Sequence, residues 1–200
     1  MSVTGYSDRI NHAFAFAAKH HDQQVRKGTR LPYLTHPANV AIILTRYARD
    51  EETVVAGILH DVIEGCVREG WSQEKLEERI GTKFGNSVLS TALSVAERRL
   101  DDDGIEMSND ERKADYLNRL SLASEDALWV CAAHNLHNIG SILSDVRRTA
   151  FPETVWGRFA AGKNGTVQMY ANIVARLQEA GFRGEIVEEL RAASDELKTL

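Results

Sequence analysis

A histidine and an aspartate stand side by side in an apolar helical run, Ala56-Gly57-Ile58-Leu59-His60-Asp61-Val62-Ile63-Glu64. Such a pair rarely serves packing alone, because buried polar groups need partners. Neighbouring residues of an α-helix point about 100° apart, so His60 and Asp61 can bind one metal ion only if the ion lies against the flank of the helix. Other segments must then complete the coordination shell.

Two further helical segments offer candidates for that shell. His36 stands directly before a proline, a residue that suits the first position of a helix. His134 and Asn138 are spaced i, i+4 and share one face of a long apolar run. Each of these residues alone is best explained as hydrogen-bonded to nearby backbone. Together with His60 and Asp61 they give three histidines and one carboxylate on three helices, and this combination favours a shared metal ion.

Helical periodicity runs through the chain, and no segment shows convincing period-two alternation. We therefore predict an all-α fold, a compact single-domain bundle of many helices over residues 1–200. Its motif-bearing core is expected at about 8–148 and its C-terminal helices at 152–200. The predicted helices cover about 8–22, a stretch starting at 37, 51–64, 72–80, 86–98, 108–122 and 125–148, then a region after 152 that glycines at 162–165 can interrupt, and a last helix from near 184.

Composition narrows the class of protein. The formal net charge of −5 argues against broad attraction to nucleic acid, although the basic run 26–30 suits a small polyanion. Cys66 and Cys131 lack the spacing of a zinc ribbon or a disulfide framework. No apolar stretch approaches the about 20 residues that span a bilayer, and the N-terminus lacks a signal-peptide pattern. We predict a cytoplasmic protein without nucleic-acid or membrane partners, and a homo-oligomer is compatible with the sequence.

Taken in order, several motifs resemble the HD-domain phosphohydrolases, and within them the hydrolase domain of the SpoT and Rel enzymes and the small alarmone hydrolases. The resemblance extends over about 14–143 and rests on Arg26-Lys27, Pro32-Tyr33-Leu34-Thr35-His36-Pro37, His60-Asp61-Val62-Ile63-Glu64, Arg112-Lys113 and Ala133-His134-Asn135-Leu136-His137-Asn138. It implies a helical, metal-dependent hydrolase that removes the 3′-diphosphate from guanosine tetra- or pentaphosphate, typically with manganese. No segment resembles a synthetase or regulatory domain, which favours a stand-alone degrading role.

The resemblance also implies roles for individual residues. The metal ligands would be His36, His60, Asp61 and the residue at position 134, which is an aspartate in the family. Glu64 would orient or deprotonate the attacking water, with Asp61 as the second catalytic carboxylate. For the substrate, the resemblance implies binding residues at Arg26, Lys27, Lys113, Asn138 and Ser141. A solvated basic loop at 26–27 and a solubility role for Lys113 stay open as alternatives.

Three positions depart from the family pattern near the expected chemistry. Gly65 replaces an acidic residue that usually follows the glutamate, His134 replaces the aspartate, and Gly140 replaces an arginine two residues after the asparagine. Three histidines with one aspartate suit Zn²⁺, Fe²⁺ or Ni²⁺ better than Mn²⁺. Three hypotheses follow: an alarmone-type hydrolase, a metal-dependent phosphohydrolase acting on another nucleotide, and a catalytically impaired relative that binds a nucleotide without turnover.

Overall fold

The computed structural model describes residues 6–67 and 71–200. The prediction that no targeting segment begins the chain falls partly on residues 1–5, outside the described residues. The described residues contain ten helices and two isolated β-bridges, but no strand. In chain order the helices are α1 Asp8–His20, α2 Thr35–Arg46, α3 Glu51–Gly65, α4 Gln73–Phe84, α5 Asn86–Val95, α6 Asn109–Leu120, α7 Glu125–Arg148, α8 Pro152–Trp156, α9 Gly162–Glu179 and α10 Ile186–Thr199.

Helix α3 is the central element, since every residue from Thr53 to Ile63 is buried. It begins where the Asp50 side chain accepts a hydrogen bond from the Thr53 amide, and acidic residues follow in its first turn. Helices α1, α2, α4, α5 and α7 all pack against it. This central position explains why the helix carries an almost continuous apolar sequence. It also means that His60 and Asp61 are surrounded by other helices.

Helices α2 and α3 approach each other closely at Gly57. A Cβ atom at this position would lie 2.5 Å from Leu44 Cδ1 and 3.2 Å from Val40 Cγ1. Any larger residue would therefore push the two helices apart. Because His36 lies in the first turn of α2 and His60 lies one turn after Gly57, the close contact brings the two histidines together.

Helix α7 forms the other wall of the site. Ser124 caps it by accepting from the Ala127 amide, and two arginines occupy its last turn. Helices α8, α9 and α10 pack against α7. One apolar core extends from Ile10 to Leu197, which confirms the predicted all-α, compact fold. Within the described residues, no helix is both long and apolar enough to cross a membrane.

The predicted helices are confirmed, with differences at some ends that have local causes. Helix α2 begins two residues early because the His36 amide bonds to the Tyr33 carbonyl at 2.9 Å and closes a turn before the proline. Helix α5 stops at Val95 because Ala96 is extended and the next amide, that of Glu97, donates to Glu64 Oε2 at 2.9 Å.

The sequence predicted a helix interruption at 162–165, but in the structure the helix is interrupted earlier in the chain. Gly162 has a φ of +61° and opens α9, and Gly165 lies inside the first turn of that helix. The actual break separates α8 from α9 and falls between the two helices, at 157–161. A glycine suits the left-handed conformation required where the chain turns into α9. The two glycines therefore begin a helix rather than interrupt one.

Candidate metal centre

The four predicted metal ligands converge in the structure. One side-chain atom from each of His36, His60, Asp61 and His134 lies within 4.8 Å of the others. His134 Nδ1 is 2.7 Å from His60 Nε2 and 3.1 Å from His36 Nε2. His60 Nε2 is 3.0 Å from Asp61 Oδ1. Ligand atoms around an ion with metal–nitrogen bonds of about 2.0–2.1 Å are themselves about 3 Å apart, so the cluster has the dimensions of a coordination shell.

Each of these histidines uses its other ring nitrogen to contact a supporting group. His60 Nδ1 donates to the Gly57 carbonyl at 2.7 Å, which leaves the Nε2 lone pair directed into the cluster. His36 Nδ1 lies 2.7 Å from His137 Nδ1. The Tyr33 hydroxyl donates to Asp61 Oδ2 at 2.8 Å. Outer contacts of this kind fix the orientation of metal ligands.

The tautomer of His134 is linked to the orientation of the Asn138 side-chain amide. The Asn138 Nδ2 atom lies 3.0 Å from His134 Nε2, and Asn138 Oδ1 accepts from Arg26 at 2.8 Å. In this orientation of the amide, His134 Nε2 accepts and Nδ1 carries the proton. Binding of a metal through Nδ1 requires the other tautomer, and therefore an amide rotated so that its oxygen faces the imidazole. The remaining ligands fit a divalent ion without any such change.

Burial keeps two of the histidines neutral. It lowers the pKa of His36 well below its ordinary value and the pKa of His134 to about 3. Burial also opposes ionisation of Asp61, but the nearby histidines, His60 first, hold the pKa of that carboxyl well below its ordinary value. The negative charge of Asp61 in turn raises the pKa of His60 despite its burial. Neutral imidazoles with a carboxylate form a donor set that suits a divalent cation.

A cavity of about 400 Å³ opens beside the cluster, which we call the metal cavity. Asp61, His134 and Glu64 line it together with Lys27 and Lys113. Burial, followed by the negative charge of Asp61, raises the pKa of Glu64 to about 7. A carboxyl group with this pKa can exchange a proton at neutral pH, as a general base must.

The predicted substrate-binding residues lie in two places. Lys27 and Asn138 line the metal cavity and also a second cavity beside it. Lys113 lines the metal cavity from α6, with its Nζ 3.9 Å from an Asp110 oxygen. Arg26 lines only the second cavity, with its guanidinium 5.5 Å from the centre of the Tyr33 ring.

Ser141 also lines only the second cavity, and its hydroxyl donates to the His137 carbonyl at 2.9 Å. The contact between His137 and His36 was not predicted from the sequence, although His137 lies within the run 133–138. Its spacing from His134 is i, i+3, a neighbouring position on a helix, and this spacing is the signal that could have identified it.

Two of the three family departures are glycines, and a Cβ atom would meet no close obstacle at either of them. At Gly65 a Cβ atom would meet Gln24 Oε1 at 3.8 Å and His21 Cε1 at 3.9 Å, which are ordinary contacts. At Gly140 a Cβ atom would meet nothing within 4 Å. The third departure, His134, occupies the centre of the cluster. The site therefore has an imidazole in place of a carboxylate, and open space beside Gly140.

Comparisons with known proteins agree with this geometry. The HD domain family model matches residues 13–167. The guanosine-3′,5′-bis(diphosphate) 3′-pyrophosphohydrolase of Aquifex aeolicus is 36% identical over 83 residues, which are 42% of this chain and 11% of that protein. The bifunctional (p)ppGpp synthase/hydrolase SpoT of Escherichia coli is 31% identical over 154 residues, 74% of this chain and 20% of that protein.

A GTP pyrophosphokinase of Myxococcus xanthus is 30% identical over 138 residues, 68% of this chain and 17% of that protein. The chain thus spans a fifth or less of the length of these three relatives. A solved structure described as a metazoan orthologue of SpoT that hydrolyzes ppGpp has a TM-score of 0.74 and 23% identity, with 99% of this chain and all of that chain covered. This likeness shows the fold, and the family model covers more than half of the sequence. The chain belongs to the HD-domain family.

Proposed function

We propose that this protein is a metal-dependent phosphohydrolase that releases pyrophosphate from the 3′ position of guanosine 3′,5′-bis(diphosphate). The observation that carries the proposal is the convergence of His36, His60, Asp61 and His134 beside a cavity that also contains Glu64. The names of the relatives from Aquifex aeolicus and Escherichia coli support the choice of substrate.

The four clustered residues would hold one divalent metal ion. When bound, such an ion acidifies water and withdraws charge from phosphoryl oxygens. The resemblance to the family favours Mn²⁺. The donor set of three imidazoles and one carboxylate favours Zn²⁺, Fe²⁺ or Ni²⁺, so the two arguments give different expectations for the metal.

Glu64 is the proposed general base. The water oxygen forms a bond to the phosphorus next to the 3′ oxygen while Glu64 takes up the proton, and the bond from that phosphorus to O3′ breaks. The proton that Glu64 took up passes to O3′, and the products are guanosine 5′-diphosphate and pyrophosphate. Lys27 and Lys113 line the same cavity and supply positive charge for the phosphoryl oxygens of the 3′-diphosphate. Glu64 is held in place because it accepts a hydrogen bond from the Glu97 amide.

A second candidate function is hydrolysis of a different nucleotide. The open space at Gly140 favours it, because the arginine expected there from the family is missing and nothing lies within 4 Å of its Cβ position. A third candidate is a catalytically impaired relative, favoured by the imidazole at 134 and by the missing carboxylate at 65. Binding of nucleotide without product over hours would identify that third case.

The test begins with protein stripped of metal and reloaded separately with Mn²⁺, Co²⁺, Fe²⁺ or Zn²⁺. Release of pyrophosphate from guanosine 3′,5′-bis(diphosphate) is then measured against nucleoside di- and triphosphates and other nucleotides with a 3′-phosphate. Preferential release from the first substrate supports the proposal, and turnover of another nucleotide alone supports the second candidate. No release with any of the four metals would reject the proposed activity.

A further inference from the structure

A second cavity adjoins the metal cavity and is the larger of the two, at about 720 Å³. The two cavities share the side chains of Lys27, Tyr33, Asn138, Phe159 and Tyr170. Three of these shared residues carry aromatic rings, which can cover the faces of a base or a ribose. A single ligand placed against the shared residues would therefore reach both cavities.

The second cavity is positively charged in a chain whose net charge is −5. The cationic side chains that line it are Arg26, Lys27, Arg46, Arg148 and Arg158, and the carboxylates are Asp145 and Glu189. Arg46 and Glu189 form an ion pair with each other. The metal cavity has no such excess of cations, because Asp61, Glu64 and Glu97 line it beside its two lysines. The excess of cationic side chains therefore makes the second cavity the better place for an additional anionic group.

Arg158 reaches the second cavity across the backbone of Gly28. A Cβ atom at Gly28 would lie 2.0 Å from Arg158 Cδ, and the φ of +74° at this glycine is one that other residues rarely adopt. The Arg158 guanidinium forms an ion pair with Asp145 through Nη1, and the Arg158 side chain has an exposed fraction of 22%. The guanidinium has five N–H donors, so it can bind a phosphate while it keeps this contact. Gly140, on the same cavity, leaves space for that phosphate.

We infer that the second cavity binds a second phosphate group of the same substrate, with Arg158 and Arg148 as its anion-binding side chains. This inference rests on the proposed function and deepens it, since it makes the substrate a nucleoside phosphorylated at two separate positions. The 3′-diphosphate lies at the metal cavity and the 5′-diphosphate in the second cavity. Arg158 and Arg148 then supply the positive charge that the family places at position 140.

The first test is calorimetric binding of guanosine 5′-diphosphate, which carries only the 5′ group and needs no turnover. Arg158→Gln should weaken binding about 10-fold or more, as expected for loss of a charge-assisted hydrogen bond, and Arg148→Gln should also weaken it. Arg147→Gln is the matched control, because Arg147 is adjacent to Arg148 but pairs with Glu196 on α10. Equal binding by wild type and Arg158→Gln, or no binding by wild type at about 1 mM, would overturn the inference.

A second variant separates recognition from a purely structural role. Asp145→Asn removes the ion pair but leaves the guanidinium, so binding of guanosine 5′-diphosphate should be kept or strengthened. Arg158 could instead serve only to hold the segment 157–161 in place through its ion pair with Asp145. In that case Asp145→Asn would weaken binding as much as Arg158→Gln does, and the inference would be wrong.

Kinetics distinguish this inference from the proposed function. Wild type should hydrolyse guanosine 3′,5′-bis(diphosphate) with a higher kcat/KM than guanosine 3′-diphosphate, which has a free 5′-hydroxyl. Arg158→Gln should remove that preference by raising KM for guanosine 3′,5′-bis(diphosphate), whereas Arg147→Gln, outside the cavity, should keep it. No preference in wild type would contradict the inference while leaving the activity intact. No hydrolysis of either substrate, with Arg158-dependent binding of guanosine 5′-diphosphate, would contradict the activity and leave the inference intact.

Discussion

Replacement of Glu64 by glutamine should lower activity and raise the stability of the metal-free protein. Glutamine retains an oxygen that can accept from the Glu97 amide, so the 2.9 Å hydrogen bond can persist. It cannot take up a proton from water, and loss of a general base typically lowers the rate about 10²- to 10⁴-fold. The stability effect arises because ionised Glu64 is buried next to Asp61.

The size of the stability effect follows from the pKa of Glu64. Below the ordinary glutamate value of 4.5 both the folded and the unfolded state are protonated, and the residue contributes nothing. As the pH rises from 4.5 to about 7, only the unfolded state loses its proton, so the folded state is progressively destabilised. A gap of about 2.5 pKa units at about 1.4 kcal/mol each gives about 3 kcal/mol above pH 7.

The assay is urea unfolding of chelator-treated protein at several pH values. The Glu64→Gln variant should exceed wild type by about 3 kcal/mol at pH 8 and by almost nothing at pH 4. Glu78→Gln, at an exposed position on α4 outside both cavities, should show no such pH dependence. If Glu64→Gln were equally stable or less stable than wild type at pH 8, the argument from burial would be refuted. If it kept full activity, Glu64 would not be the base.

Three further predictions concern the metal and the basic loop. His60→Ala should reduce bound metal from about one ion per chain to almost none by elemental analysis, whereas the exposed His12→Ala should leave it unchanged. His134→Asp should increase the ratio of Mn²⁺-dependent to Zn²⁺-dependent pyrophosphate release, because an oxygen ligand replaces a nitrogen ligand. Gly28→Ala and Gly104→Ala both place alanine at positive φ; Gly104→Ala should lose about 1 kcal/mol in urea unfolding, and Gly28→Ala should lose more because its Cβ atom overlaps the Arg158 side chain. Only Gly28→Ala, which also meets an arginine side chain, should weaken binding of guanosine 5′-diphosphate.

The sequence predicted the helices most accurately where local signals were strong. Helix α7 occupies Glu125–Arg148 as expected, with a serine cap, acidic residues in its first turn and arginines in its last. The capping box of Ser108 and Glu111 is present at the start of α6. Local signals failed where a distant residue determined the end of a helix. Helix α5 ends earlier than predicted, next to the hydrogen bond from the Glu97 amide to Glu64, a residue 33 positions away in the chain. Nothing in the local sequence indicates this contact.

The same distinction explains which site residues could be found. The four candidate ligands are polar groups in apolar helical surroundings, and such groups need a partner or an ion, so their residue types were informative. Arg158 gives no comparable signal, because an arginine in a loop is normally solvated. Its position in the second cavity depends on close contact with Gly28, which lies 130 residues earlier in the chain. A contact of this kind can be recognised only once the fold is known.

Asn138 shows how the structure changes the chemical argument even where the residue was predicted. The family resemblance implied that Asn138 binds the substrate, whereas in the structure its amide contacts Arg26 through the oxygen and His134 through the nitrogen. Metal binding by His134 through Nδ1 favours the amide oxygen on the imidazole side, and this orientation turns the amide nitrogen, a donor, toward the Arg26 guanidinium. An aspartate at position 134, as the family has, makes no such demand on the amide. The replacement of that aspartate by histidine therefore changes the contacts of Arg26 in the basic loop as well as the candidate metal cluster, because the two are linked through the Asn138 side chain.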